Sequence, residues 1–112
     1  MAIVVDCCIE RVGDEAVIAL PRTAVERTYM LLDALMCGKL RELTFRSGNV
    51  LLACRCGDED THAHNVLTLS QTMAEQVKSM LLRVVLHPQE AEWLHVDVET
   101  AGGDVTIRVT NL

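Results

Sequence analysis

The run Cys54-Arg-Cys-Gly-Asp-Glu-Asp-Thr-His-Ala-His64 carries two thiols, Cys54 and Cys56, two imidazoles, His62 and His64, and three acids between them, Asp58, Glu59 and Asp60. Zinc takes thiolates and neutral imidazoles in a tetrahedron, so Cys-x-Cys and His-x-His on adjacent strands could present all four ligands on one face. The C-x-x-C spacing of a zinc knuckle is absent, however. Alternation along residues 50–56 puts Val50, Leu52, Cys54 and Cys56 on one side of a strand, where a buried cysteine behaves as a small hydrophobe. The expectation is therefore no cofactor and no metal, with Cys54, Cys56, His62 and His64 as the alternative zinc set. His62 and His64 are expected at or beside a turn, and the three acids form a solvated turn or an acidic contact for a basic partner.

A second set, His95, Asp97 and Glu99, alternates on one face near Thr106 and Arg108 of a paired strand. It could share a substrate or a metal, but it also reads as a wet sheet surface with cross-strand pairs such as His95 with Arg108. No Ser-His-Asp order, HExxH pattern or phosphate-binding glycine loop occurs; Gly102-Gly103 precedes a strand, not a helix. Five cysteines at 7, 8, 37, 54 and 56 cannot all pair within one chain and are read as reduced thiols, Cys8 and Cys37 being the outward ones. Trp93 is expected to close the core.

The elements that must position these residues are well marked. Val25, Thr28, Leu32, Leu35 and Met36 make a helical stripe stopped at Gly38, and Met73, Val77, Met80, Leu81 and Val84 make another, capped by Ser70 and ended by His87-Pro88. Three hairpins follow from turn residues: Ile9 opposite Ile18 and Cys7 opposite Leu20; Phe45 opposite Val50 and Leu43 opposite Leu52; Val98 opposite Val105, Val96 opposite Ile107 and Leu94 opposite Val109. A shift of 49 residues superposes Val17 on Val66, Leu20 on Leu69, Thr23 on Thr72, Glu26 on Glu75 and Leu32 on Leu81. The predicted fold is α+β: a two-layer sandwich with a mainly antiparallel sheet and two helices on one face, in the order ββαβββαββ. It is read as one domain, 1–112, with an internal strand-helix-hairpin duplication over about 15–56 and 64–110.

Half of the 112 residues are apolar and only 3% are aromatic, so the core is built from aliphatic side chains. A net charge of −6 repels phosphate backbones, which argues against nucleic acid. The N-terminal run lacks the basic and apolar regions of a signal peptide, and no apolar run approaches the roughly 18 residues of a membrane span, so a cytoplasmic location and no membrane are expected. One half of the outward sheet face is apolar, at Val4, Cys8, Val17, Ala19, Leu51 and Ala53, and is expected to pack against a second copy or another protein. The helix-βββ-helix-ββ order from residue 22 looks similar to the core of secretion-effector chaperones, although it has a leading hairpin and lacks their last helix. Paired βαβββ units also resemble the vicinal-oxygen-chelate metalloenzymes. The acidity, the apolar half-face and the lack of a catalytic set, with the first resemblance as an analogy of element order, point to a small non-catalytic protein-binding module of the inhibitor, immunity-factor, antitoxin or effector-chaperone type, acting as a homodimer. The second implies a metal-binding protein or metalloenzyme.

Overall fold

Two amphipathic helices set the layout of this computed structural model, which describes residues 3–110. A 3-10 turn over Arg22–Ala24 leads into α1 (Val25–Met36), which buries Val25, Thr28, Leu32 and Leu35. Helix α2 (Gln71–Leu86) buries Ala74, Val77, Met80, Leu81 and Val84. Both stripes follow the 3.6-residue period of the sequence. At the start of α2 the Met73 N–H donates to Ser70 Oγ over 3.1 Å, supplying one of the helix's missing acceptors. Asp60 steadies the same corner by accepting the Ser70 N–H over 2.7 Å. Lys78 joins the helices: its ammonium lies 2.8 Å from Asp33 and 5.1 Å from the centre of the Tyr29 ring.

Among the described residues nine strands form two mixed sheets, so the α+β class holds, and three of the seven strand pairings there are parallel. Sheet A runs β1 (Val4–Asp6), β4 (Leu43–Ser47), β5 (Val50–Gly57), β7 (Val66–Ser70), β6 (Thr61–Ala63). Sheet B runs β2 (Cys8–Val12), β3 (Glu15–Pro21), β9 (Val105–Thr110), β8 (His95–Val98). Each sheet joins the hairpin before one helix to the hairpin after the other, through the parallel pairs β5–β7 and β3–β9. The inward sides of both sheets and the apolar helix faces meet in one cluster that includes Val5, Ile18, Phe45, Leu67, Leu81 and Ile107. Burying each such side chain contributes roughly 1.5–3 kcal/mol, which makes this cluster the main source of stability.

The expected N-terminal strand is broken at Cys7, where the chain passes from sheet A to sheet B. Cys7 therefore does not sit opposite Leu20; its N–H instead donates to Arg46 O in sheet A over 2.9 Å. The register of the first hairpin is as expected at Ile9 and Ile18, and that of the last at Val96 with Ile107 and Val98 with Val105. In the middle hairpin the turn falls at Gly48-Asn49, so Phe45 faces Leu52 and Leu43 faces Cys54. The two-residue slip leaves every side chain on its expected face, because the side-chain period along a strand is also two. The short strand β6 was not expected. Trp93 does not close the core: it is 77% exposed at the end of a 3-10 turn over Pro88–Trp93, and Ala91 is the residue of that turn that packs inward.

The turn after β8 is pressed against both hairpins that precede the helices. A Cβ on Gly102 would overlap the carbonyl oxygen of His62, and one on Gly103, where φ is +117°, would overlap that of Asp14. Gly102→Ala is expected to cost about 2 kcal/mol or more in urea unfolding, because backbone must move to admit it. Ser70→Ala should cost about 1 kcal/mol through loss of the cap.

Candidate functional site

The structure separates the four proposed zinc ligands. Cys54 and His62 both point inward from sheet A, in a cross-strand row Leu43, Cys54, Leu67, His62 that places Leu67 between them. Two strand spacings amount to about 10 Å, far beyond the reach of a shared ion bound at roughly 2 Å from each ligand. Burial drives the Cys54 thiol well above its ordinary pKa and raises that of half-buried Cys56, so both resist forming the thiolate a metal needs. His64 is exposed, with φ of +57°, in the tight turn between β6 and β7. Among the described residues, no group of three or more His, Cys, Asp or Glu side chains is placed to hold a metal ion.

His62, expected at or beside a turn as a polar position, is a strand residue only 5% exposed, so it is the burial that differs. Carried through the strand registers, it stands level with Ile9 of the other half, because the β6–β7 hairpin is two residues shorter on each strand than β2–β3. Its Nδ1 lies 3.2 Å from Gly103 O, and Nε2 is buried without a hydrogen-bond partner among the described residues. Histidine here fills a core position and pins the β8–β9 turn. Of the three acids in the same run, Asp60 has the structural task described above.

The six residues expected to form one apolar half-face fall on two sheets. Val4, Leu51 and Ala53 face outward from sheet A, and Cys8, Val17 and Ala19 from sheet B. The outer side of sheet A has an ordered pattern that the sequence did not disclose. A central row, Val4, Thr44, Ala53, Val66 and Ala63, crosses all five strands. On one side lies the row Asp6, Arg46, Leu51, with Arg46 Nε donating to Asp6 over 2.7 Å. On the other lies Arg55, whose Nε donates to Glu42 over 2.6 Å. The Arg46 hydrogen bond holds the Asp6 carboxyl below its ordinary pKa. Leu51 is 49% exposed within this surface.

On sheet B, Cys8, Val17 and Ala19 line a depression of about 460 Å³ with Asp6, Glu10 and Arg108. Ala19 is buried there despite its outward direction. His95, Asp97 and Glu99 are also outward, and His95 pairs across the ladder with Arg108 as expected. Asp97 accepts from Thr106 Oγ1 over 2.8 Å and lies 3.5 Å from His95 Nε2, so it is engaged in the sheet surface.

Sequence reasoning missed a third surface. Glu26, Tyr29 and Met30 of α1 and Leu82 and Val85 of α2 line a groove of about 210 Å³ on the helices. Met30 is 70% and nearby Leu86 of α2 64% exposed. The signal was present: the end of α2, Met80-Leu-Leu-Arg-Val-Val-Leu86, is apolar well beyond one stripe.

The thiols provide a test of this placement. Burial raises the Cys7 thiol to about 11, while Cys8 and Cys37 are exposed. At about pH 8 a disulfide-exchange reagent should label Cys8 and Cys37 first, Cys7 should gain reactivity only as the pH climbs toward its raised pKa, and Cys54 should react only on unfolding. Peptide mass mapping would read the order, and early labelling of Cys54 would contradict its place in the core. No protein-family model matches the chain and no curated protein sequence does, so the functional reading rests on this geometry.

Proposed function

We propose that the chain is a non-catalytic protein-binding module, of the inhibitor, immunity-factor, antitoxin or effector-chaperone type, acting in the cytoplasm as a homodimer. The observation that carries this reading is the outer side of sheet A, a row apolar except for Thr44 and flanked on both sides by an ion pair. Apolar centres with polar rims are the usual anatomy of a protein contact, and both charge signs at each rim suit a face that meets its own copy across a two-fold axis. Five strands at about 4.8 Å spacing and three rows of side chains give roughly 500 Å² per copy. That is at the low end for specific contacts, so the dimer is reversible. Cys8, Val17 and Ala19 extend the contact around the corner at Cys7. The net charge of −6 supports protein over nucleic acid as the partner. No helix among the described residues is long and apolar enough to cross a membrane.

The common strand order and sense of the two sheets support an internal duplication, with units over about 15–56 and 64–110 of one two-layer domain. The scattered thiols and imidazoles do not favour the alternative of a metal-binding protein. Native mass spectrometry of the untagged protein should give the mass of the bare polypeptide and its dimer.

Sedimentation across micromolar to submillimolar concentrations tests the contact. The wild type should self-associate, and Leu51→Glu or Val66→Glu should weaken association by about tenfold, since the second places an acid in the central row and the first in the row beside it. If Met30→Glu dissolves the dimer and Leu51→Glu does not, the helix groove is the contact instead.

A further inference from the structure

The two sheets have the same strand order and the same senses, with β4-β5-β7-β6 in one matched by β8-β9-β3-β2 in the other. They differ at one edge. In sheet A, β1 lies parallel on β4, and Arg27 Nη1 donates to Val4 O of β1 over 2.6 Å. In sheet B the corresponding strand, β8, pairs with β9 alone, and the backbone groups on its other side have no hydrogen-bond partner among the described residues. An open edge is a template for another strand. Trp93, 77% exposed, stands two residues before β8.

We propose that the β8 edge binds an extended segment of a partner protein, running parallel to β8 as β1 runs to β4, and carrying a lysine or arginine opposite Glu99. The charge follows from position. With Val17 level with Val66, the registers place Leu43, Thr44 and Phe45 level with Val96, Asp97 and Val98, and Arg46 level with Glu99. In sheet A the incoming strand sets Val4 beside Thr44, Val5 beside Phe45 and Asp6 beside Arg46, the last as a two-bond ion pair at 2.7 and 3.2 Å. Glu99 reverses the sign of that last position, so the matching segment has an apolar residue against Val98 and a base next to it. Glu15, Asp97, Glu99 and Asp104 line one depression on this side of sheet B, and a basic strand meets their field as well. Main-chain hydrogen bonds supply the affinity in this mode, and the side chains supply the selection. The site names the kind of partner for the protein-binding reading, and it rests on that reading.

The test is a titration of the isotope-labelled full chain with the blocked peptide Ile-Val-Val-Lys, followed by amide and indole resonances. This is the run Ile3–Asp6 with lysine in place of Asp6; the unchanged Ile-Val-Val-Asp peptide serves as the comparison. Saturable shifts at residues 94–99 and the Trp93 indole are expected, with a dissociation constant of roughly millimolar and about fivefold weaker binding of the aspartate peptide. Glu99→Lys, an exposed site that folding tolerates, should reverse the order of the two peptides. Equal binding of both peptides, shifts elsewhere, no shifts, or an unchanged order in Glu99→Lys would each overturn the proposal. Shifts at β8 that grow with protein concentration alone would also overturn it, assigning the edge to a second copy. Peptide binding to a monomer would keep the edge site and remove the dimer; a dimer blind to the peptides would do the reverse.

Discussion

Everything in this fold depends on two parallel pairings, β3 with β9 and β5 with β7. Neither half of the chain can hide its apolar strand faces alone, since each supplies one hairpin to either sheet. Joining the hairpins side by side closes both sheets over one cluster, in which Ile18, Leu20, Ile107 and Val109 of one seam and Leu52, Cys54, Leu67 and Leu69 of the other are all buried. Pairings between strands so far apart in sequence carry a high loop-closure cost, which the shared burial must offset. A charge or a cavity at either seam would be felt by both halves.

The same seams explain why the chemically promising residues do not assemble. Strand alternation sends Cys54 and His62 to the inner side of sheet A and leaves Arg55 and Thr61 outside, so the soft ligands become core atoms and Leu67 keeps them apart. The groups that remain outside among the described residues include short ion pairs, small apolar side chains and strand edges, that of β8 among them. That inventory is what supports the proposed recognition of other polypeptides through shape, main-chain hydrogen bonds and modest charge selection.

Particular residues show where reading from sequence succeeded and where it stopped. The helices were legible because capping and periodicity are local: Ser70 caps Met73 three residues on, Pro88 stands two residues past the helix end, and the stripe from Val77 to Val84 repeats every three or four residues. Hairpin faces were legible for the same reason, even where the turn at Gly48-Asn49 moved the register. His62 was misplaced because a constant shift of 49 residues was carried through a hairpin that is two residues shorter on each strand. Trp93 was misplaced because a large aromatic ring gives no sign of which side of a short turn will face the core. The groove beside Met30 was missed because only the inward stripe of each helix was followed.

By itself, the sequence determined an acidic α+β chain with two helices, three hairpins and an aliphatic core, because alternation, capping and turn preference are encoded over short distances. Only the tertiary structure decided that the strands divide into two mixed sheets, that the chain changes sheet at Cys7, and that Val4, Leu51 and Ala53 part from Cys8, Val17 and Ala19. Which strand lies beside which depends on contacts between residues dozens of positions apart. Many pairings satisfy the same local pattern, and the one adopted is the one that buries both halves in a single core.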